Sequence, residues 1–451
     1  MRYVCSECGY STPNWMGRCP QCGGWNTFFM EKSEKRRETK QQSSQVIPIA
    51  FTELDEASLR EYNRFATGFS EVDRVLGGGI VAGSLILLSG DPGIGKSTLL
   101  FEIAHNMALQ GKRVLYVSSE ESLPQIYLRI KRLKAEKTPN LFLLSTSIFE
   151  DVLSALEHLA PELAIVDSVQ NLSREEGDFL PGSVALLRDF SVRFMEIAKS
   201  RNVALILVGH VTKEGVVAGP RTLEHLVDVV LYLEGDPNRP LRFLRGMKNR
   251  FGSTQEIGLL ELTEDGFVEV TDPSRYFLSD GEEAPHTGVA RTVLAEGKRA
   301  MVVEVQSLVH PSFLDFPRRV SLGIDLNRIH LLLAVIEKVA RIRFSRQDVY
   351  VSIAGGIRTF ETSSDLALCV SLVSSRLERE VRKDTVFCGE VGLGGEIRSV
   401  PFLENRLQEA LRVGIRRAVL ARGQGIPSRL REIECASYGN ILELFQHEGL
   451  L

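Results

Sequence analysis

Residues 90–98 read Gly-Asp-Pro-Gly-Ile-Gly-Lys-Ser-Thr, with the apolar run 85–89 just before them and a helix-like segment, 97–109, just after. Three glycines within six residues cannot form a strand or helix interior, but they let successive backbone N–H groups turn inward around an anion. The helix that follows adds the positive end of its dipole. The spacing matches a complete phosphate-binding loop. Gly90, Asp91, Pro92, Gly93, Ile94 and Gly95 wrap the phosphates, Lys96 reaches the β/γ-phosphates, and the Ser97 hydroxyl ligates Mg²⁺ beside Thr98. ATP and Mg²⁺ are the expected ligands. Reading the segment as a plain glycine-rich turn leaves Lys96 without a purpose.

The surrounding chain fits that loop. Apolar runs at 85–88, 114–117, 141–144, 163–166, 203–208 and 227–233 alternate with amphipathic segments such as 97–109 and 184–200. Strands alternating with helices predict an α/β fold with a parallel sheet covered on both faces. After about Pro273 the texture changes. Strand-like runs at 300–308 and 349–353 and helix-like segments at 328–339 and 364–376 predict a further α+β domain. Asp-Pro and Asp-Gly dipeptides place the boundary near 272–285. The expected organisation is therefore a small module at 1–30, a polar linker at 31–60, an α/β core at 61–275 and a last domain at 285–451.

In such a sheet the carboxyl ends of neighbouring strands face one crevice. The run 163–166 ends in Asp167, where a carboxylate holds the Mg²⁺ shell; the alternative is a helix N-cap. Glu120 and Glu121 follow the run 114–117. Adjacent side chains point different ways, so one of the pair acts on water and the other faces solvent. His210 ends the run 203–208 in Gly-His-Val-Thr and is a candidate γ-phosphate sensor.

Four of the seven cysteines fall in the first 22 residues: Cys5, Cys8, Cys19 and Cys22, spaced C-x2-C-x10-C-x2-C. Each C-x2-C pair can form a knuckle, and two knuckles complete a closed tetrahedral S₄ site for a structural Zn²⁺. Thirty residues cannot fold on apolar burial alone, so the metal is expected to supply the folding energy. An odd cysteine count without a signal-peptide pattern argues against a disulfide framework. A net charge of −4 excludes a globally basic DNA-coating protein, though not local basic surfaces. No apolar run approaches the length of a membrane span, so a cytoplasmic location without membrane contact is expected.

The approach segment Thr67-Gly-Phe-Ser-Glu-Val-Asp73, the glycines Leu76-Gly-Gly-Gly79 and the phosphate loop, in this order, resemble the RecA superfamily. The four-Cys ribbon, the RecA-like core, the motif Lys248-Asn-Arg250-Phe-Gly252 and the trailing domain together resemble a bacterial DNA-repair family within it. The resemblance implies an ATP-dependent recombination and repair protein. It also implies a hexameric ring on single-stranded and branched DNA, helicase-type branch migration, and a RecA-type recombinase as partner. Glu120 takes the position of the catalytic glutamate, and Asp167 that of the metal-shell carboxylate. Lys248 and Arg250 become cations acting on a neighbouring subunit's nucleotide or on DNA; without the resemblance they would be a solvated basic turn. Loops 170–183, carrying Arg174, and 212–225, carrying Lys213 and Arg221, correspond to channel loops. Glu175, Glu176 and Asp178 weaken the first.

Residues 285–451 resemble the Lon proteolytic domain, through Glu361-Thr-Ser363-Ser364-Asp-Leu-Ala and Gly389-Glu390-Val-Gly-Leu-Gly-Gly-Glu-Ile-Arg398. Lon-type chemistry needs a serine and a neutral lysine. Ser363 or Ser364 falls near the serine position, while Glu404 stands at the lysine position. The expectation is a peptidase-inactive domain kept for ring assembly or DNA contact, with Arg341, Arg343, Arg346 and Arg358 as basic candidates. An ATP-dependent peptidase and a non-motor ATP switch are the alternatives.

Overall fold

The computed structural model describes residues 2–31, 64–175, 181–209, 223–236, 239–278, 287–297, 299–427, 429–430 and 432–451. Most of the expected linker, together with His210, Lys213 and Arg221, lies outside them. The chain divides into two compact units, Met1–Val270 and Thr271–Leu451.

The first unit opens with three antiparallel strands, β1 (Arg2–Cys5), β2 (Ser11–Thr12) and β3 (Phe28–Glu31). The short pair β4 (Arg64–Phe65) and β5 (Ile80–Val81) flanks helix α1 (Ser70–Leu76). The main sheet then builds from β6 (Leu85–Gly90), β7 (Val114–Ser118), β8 (Leu141–Ser145), β9 (Leu163–Asp167) and β10 (Ala204–Val208). It continues with β11 (Val229–Glu234), β12 (Leu241–Asn249), β13 (Ile257–Thr263) and β14 (Gly266–Glu269). Its helices are α2 (Lys96–Leu109), α3 (Leu123–Arg132), α4 (Phe149–Leu159) and α5 (Val184–Arg201).

The strand order is β14-β13-β12-β11-β6-β10-β9-β7-β8. From β11 to β8 every neighbouring pair is parallel. The expected all-parallel sheet is extended by antiparallel β12, β13 and β14. These three follow one another through short turns, which antiparallel pairing permits without a crossover helix.

Central β6 shows why its sequence reads as an unbroken apolar run. All six of its residues are buried. Ile86 and Leu88 face the core formed with Leu99, Leu100 and Ile103 of α2. Leu85 and Leu87 face the opposite core, with Phe149 of α4 and Phe190 and Phe194 of α5. Strand alternation thus sends successive side chains into two separate cores. The second core is pinned by aromatics: Phe149 stacks on Phe190 with centroids 4.0 Å apart and meets Phe194 edge-on at 5.1 Å.

The second unit begins with α6 (Pro273–Phe277), β15 (Val289–Glu296), β16 (Arg299–Pro311), β17 (Arg319–Leu322), α7 (Leu326–Ala340) and β18 (Gln347–Ile353). There follow α8 (Asp365–Leu377), β19 (Thr385–Phe387), the small pair β20 (Glu390–Val391) and β21 (Ile397–Arg398), and α9 (Leu403–Arg412). It closes with β22 (Arg417–Ala421), β23 (Glu434–Tyr438) and α10 (Ile441–His447). Its seven-stranded sheet, β17-β18-β16-β15-β19-β22-β23, also separates two cores. Leu332 and Ile336 of α7 pack with α8 on one side, and Leu407 of α9 packs on the other.

Candidate active site and metal centre

Strand register gathers the expected site. Ser118 at the end of β7 pairs with Asp167 at the end of β9, and Val208 of β10 pairs with Leu88 of β6. The phosphate loop, Asp167 and the start of the Glu120–Glu121 turn therefore share the carboxyl rim of the parallel strands.

The loop departs from β6 at Gly90 and enters α2 through Gly95, whose φ is 109°. A Cβ at Gly95 would come within 2.8 Å of the Phe267 ring, so the backbone passes where no side chain fits. Lys96 is buried, and its Nζ donates to the carbonyl oxygens of Gly90 at 2.7 Å and Asp91 at 2.9 Å. Burial pulls its pKa down, and the charges of Asp167, Asp91 and Glu120 oppose that shift. The ammonium thus sits within the field of the carboxylates expected around the metal.

Asp167 is a buried strand residue, not a helix N-cap. The phenol of buried Tyr116 donates to its Oδ2 at 2.8 Å. Ser119, just past β7, ties the two strand ends together: its N–H donates to the Asp167 carbonyl at 2.8 Å, and its hydroxyl donates to the Ser168 carbonyl at 2.7 Å. This lacing holds Glu120 at the rim beside the end of β9. Its Oε1 accepts from the Ser168 hydroxyl at 2.8 Å and from Asn171 Nδ2 at 2.7 Å.

The second glutamate departs from the expected arrangement. Glu121 is not a solvent-facing bystander; it is ion-paired with Arg129 of α3, whose guanidinium also reaches the Tyr116 hydroxyl at 3.4 Å. Tyr116 and Arg129 form a layer behind Asp167 that sequence reading missed. A tyrosine in an apolar run looks like core, and only strand register reveals the carboxylate beside its hydroxyl.

The Lys248–Gly252 motif lies at the other end of the sheet. Asn249 pairs with Val229, which pairs with Ile86 near the start of β6. Lys248 Nζ donates to the carbonyls of Glu224 and Val227, each at 2.8 Å. Arg250 pairs at 3.3 Å with buried Asp228, which also accepts from Lys199 at 2.8 Å and from the Leu85 N–H at 3.1 Å. Asn249 Nδ2 donates to the carbonyls of Val75 and Leu76 at 3.2 Å each. A Cβ at Gly252 would come within 3.1 Å of the Gly77 Cα. The motif is therefore an anchored strand end rather than a solvated turn. In the first candidate channel loop, Arg174 is ion-paired with Asp189.

In the second unit, Ser363 and Glu404 are not brought together. Glu404 pairs with Arg429. The cation at Ser363 is Arg406, fully buried, whose Nη1 lies 3.2 Å from the Ser363 hydroxyl and whose Nη2 pairs with Glu361. Ser364 instead donates to the Glu361 carbonyl at 2.9 Å. Arg406 stands two residues, about half a helical turn, beyond the expected lysine position at Glu404 on α9.

The four ribbon sulfurs all lie within 4.8 Å of one another, with Cys5–Cys22 at 3.6 Å and Cys8–Cys19 at 3.4 Å. A tetrahedron of thiolates about 2.3 Å from zinc has edges of about 3.8 Å. The donor set and spacing fit Zn²⁺. At the rim, the Ser97 hydroxyl and the Asp167 carboxylate are the hard oxygen donors that suit Mg²⁺.

Two protein families match stretches of this chain. The family described as a rubredoxin metal binding domain matches residues 3–29, and the family described as an AAA domain matches residues 52–216. Among solved structures, the crystal structure of the RadB recombinase matches at 24% identity, covering 46% of this chain and 99% of that one, with a TM-score of 0.37. DNA repair protein RadA of Bacillus subtilis is 42% identical, covering 93% of this chain and 92% of its own. RadA of Synechocystis sp. is 43% identical, with 95% and 90% covered, and RadA of Campylobacter jejuni is 44% identical, with 90% and 91% covered. With identity at this level along nearly the full length of both chains, this chain belongs to the RadA family of DNA repair proteins.

Proposed function

We propose that the chain is a DNA-dependent ATPase of recombinational repair, working in the cytoplasm as a hexameric ring that drives branch migration on single-stranded and branched DNA beside a RecA-type recombinase. The observation that carries this reading is the convergence of Lys96, Asp167 and Glu120 on one rim. Mg²⁺, when bound, would neutralise phosphate charge. Lys96 steadies the β/γ-phosphates, Asp167 and Ser97 hold the metal shell, and Glu120 orients water for in-line attack. The Ser168 and Asn171 donors fix the Glu120 carboxylate at the start of the 170–183 segment. A DNA contact there has a short path to the hydrolytic group.

Lys248 and Arg250 act in coupling. Lys248 holds the carbonyls of 224–227, where the chain returns from loop 212–225. His210 remains the proposed γ-phosphate sensor. The second unit serves assembly or DNA contact, with Arg341, Arg343, Arg346 and Arg358 as its basic positions. A peptidase role is disfavoured by the Arg406 guanidinium on Ser363, because arginine stays protonated and cannot act as the base.

The test is ATP turnover with and without single-stranded DNA across a salt series, together with a branch-migration assay on wild type, Lys96→Ala and Lys248→Ala. Six phosphate contacts give a log–log salt slope of roughly −4 on single strands. DNA should stimulate turnover, Lys96→Ala should abolish it, and Lys248→Ala should lose branch migration while keeping nucleotide binding. Turnover indifferent to DNA at every salt concentration refutes the motor. DNA-stimulated turnover without branch migration points to an ATP switch.

A further inference from the structure

Arg242 belongs to β12, 148 residues along the chain from Ile94 of the phosphate loop, and lies in no nucleotide-binding motif. It is 3% exposed. Its Nε donates to the Ile94 carbonyl at 2.9 Å, and its Nη1 donates to the carbonyls of Asp236 at 3.1 Å, Leu241 at 2.9 Å and Arg239. Among the described residues no carboxylate lies at ion-pairing distance from it; Asp236, whose charge acts on it, pairs with Arg239 at 3.7 Å. A buried guanidinium held by carbonyl dipoles alone is a costly arrangement, and a purely structural position would be served as well by an apolar side chain.

The four carbonyls explain the placement. Two belong to the turn between β11 and β12, a third is that of Leu241 at the start of β12, and the fourth belongs to the phosphate loop. The Ile94–Gly95 peptide is trans, since the one cis bond among the described residues is Asp167–Ser168. A trans peptide sets its C=O and its N–H on opposite sides. Drawing the Ile94 carbonyl out to Arg242 therefore turns the Gly95 N–H inward, to the side where phosphate oxygens are cradled. Other groups make room for this contact. A Cβ at Gly235 would meet the Leu241 carbonyl at 2.7 Å and the Arg242 Cδ at 3.0 Å. The Phe267 ring packs against the same loop at Gly95.

We propose that Arg242 is a positioning residue of the nucleotide site. It clamps the Ile94 carbonyl outward so that the Gly95 N–H is presented to the α/β-phosphates, and it ties the loop to the β11–β12 turn. The proposal rests on the phosphate-loop reading. It concerns binding of the diphosphate portion, so ADP and ATP feel it equally, and the chemical step does not depend on it directly.

The experiment titrates the full-length protein with a fluorescent ADP analogue and measures KM and kcat for ATP. The proteins are wild type, Arg242→Gln, Arg242→Lys and Lys96→Ala, each checked for folding by circular dichroism. Arg242→Gln should weaken ADP binding about tenfold and raise KM for ATP by the same factor, with kcat within about threefold of wild type. Arg242→Lys, which keeps the charge and one donor, should recover part of the loss. Should the Gln variant not fold, the Lys variant decides: a rise of threefold or more in both constants supports the clamp. A change below threefold in the deciding variant, with only a lowered melting temperature, overturns it and leaves Arg242 a structural pin. Normal ADP binding by Lys96→Ala would instead overturn the phosphate-loop reading beneath it.

Discussion

Changing Tyr116 to Phe removes one oxygen atom and leaves the packing intact. The phenol is fully buried, and its hydrogen bond to Asp167 Oδ2 is 2.8 Å long. The ring stays in place against Phe101, whose centroid is 6.0 Å away, so no cavity opens. A hydrogen bond to a charged group contributes about 1.5–3 kcal/mol. At about 2–4 °C per kcal/mol for a unit of this size, the melting temperature should fall by roughly 3–12 °C.

The functional consequence follows from geometry. In the proposed site, the commitment of Oδ2 to the phenol leaves the other Asp167 oxygen for the metal shell. Losing the phenol frees the carboxylate to rotate. A loss of even 1.4 kcal/mol in orientation raises the Mg²⁺ concentration needed by about tenfold. The assay pairs thermal melts without nucleotide with binding of a fluorescent ATP analogue across a MgCl₂ series, so turnover is not the only readout. A variant with an unchanged melt and a Mg²⁺ requirement within about twofold of wild type would refute the assignment of Tyr116 to Asp167. A lower melt with an unchanged Mg²⁺ requirement would reduce Tyr116 to a packing residue.

Three other perturbations give distinct readouts. Both tryptophans of the chain, Trp15 and Trp25, lie in the ribbon, so tryptophan anisotropy reports on that module alone; with metal binding contributing about 10–16 kcal/mol to such modules, a strong chelator should lower the anisotropy and release one zinc per chain while ATP binding persists. Burial raises the Glu102 pKa from 4.5 to about 7, opposed by the Phe267 N–H it accepts from. The native carboxyl then holds its proton where the unfolded one has lost it, so this contribution to stability is present below about pH 4.5 and is lost as pH rises through 7. Glu102→Gln should therefore melt higher than wild type at pH 8 by up to about 3 kcal/mol and lose that advantage at pH 4.5; an equal offset at both values would count against it. In the second unit, Arg406→Met strips the cation from Glu361 and should cost about 3–5 kcal/mol in denaturant melts, whereas Ser363→Ala should stay within about 1 kcal/mol and leave ATP turnover unchanged.

What the sequence made legible was local and periodic. Lys96 and Ser97 were readable because a glycine loop between an apolar run and a helix has little other use. Asp167 was readable because it ends such a run. The four ribbon cysteines were readable because their spacing encodes a tetrahedron. What stayed hidden required register. Tyr116 sits in an apolar run, yet its hydroxyl meets Asp167 across two strands. Arg242 reaches Ile94 across 148 residues of sequence. Arg406 is hidden for a different reason: the lysine position falls on Glu404, and two residues along a helix turn a side chain by more than half a circle. The antiparallel strands β12 to β14 are hard to read because glycine and charged residues interrupt them, as in Leu241-Arg-Phe-Leu-Arg-Gly246 and Gly266-Phe-Val-Glu269, so none shows an unbroken apolar run like that of β6.

The position of Lys248 and Arg250 bears on how one site could be completed by two chains. β6 spans five residue steps from Leu85 to Gly90, about 16 Å at the usual rise. The motif is fixed at the Leu85 end, through Asp228, and the phosphate loop leaves from the Gly90 end. No side chain bridges that distance along a rigid sheet, so neither cation can serve the nucleotide of its own chain. Yet Arg250 keeps more than half of its side chain exposed, at 57%, beside an aspartate that is nearly buried. A cation held by its base and exposed at its tip suits contact with a second body, whether another chain's phosphates or a strand of DNA. Arg250→Lys would then keep the Asp228 pairing but lose bidentate geometry at the tip. If ATP turnover per chain falls only where rings assemble, while nucleotide affinity of isolated chains is unchanged, the partner is a neighbouring nucleotide. If DNA stimulation alone is lost, the partner is DNA.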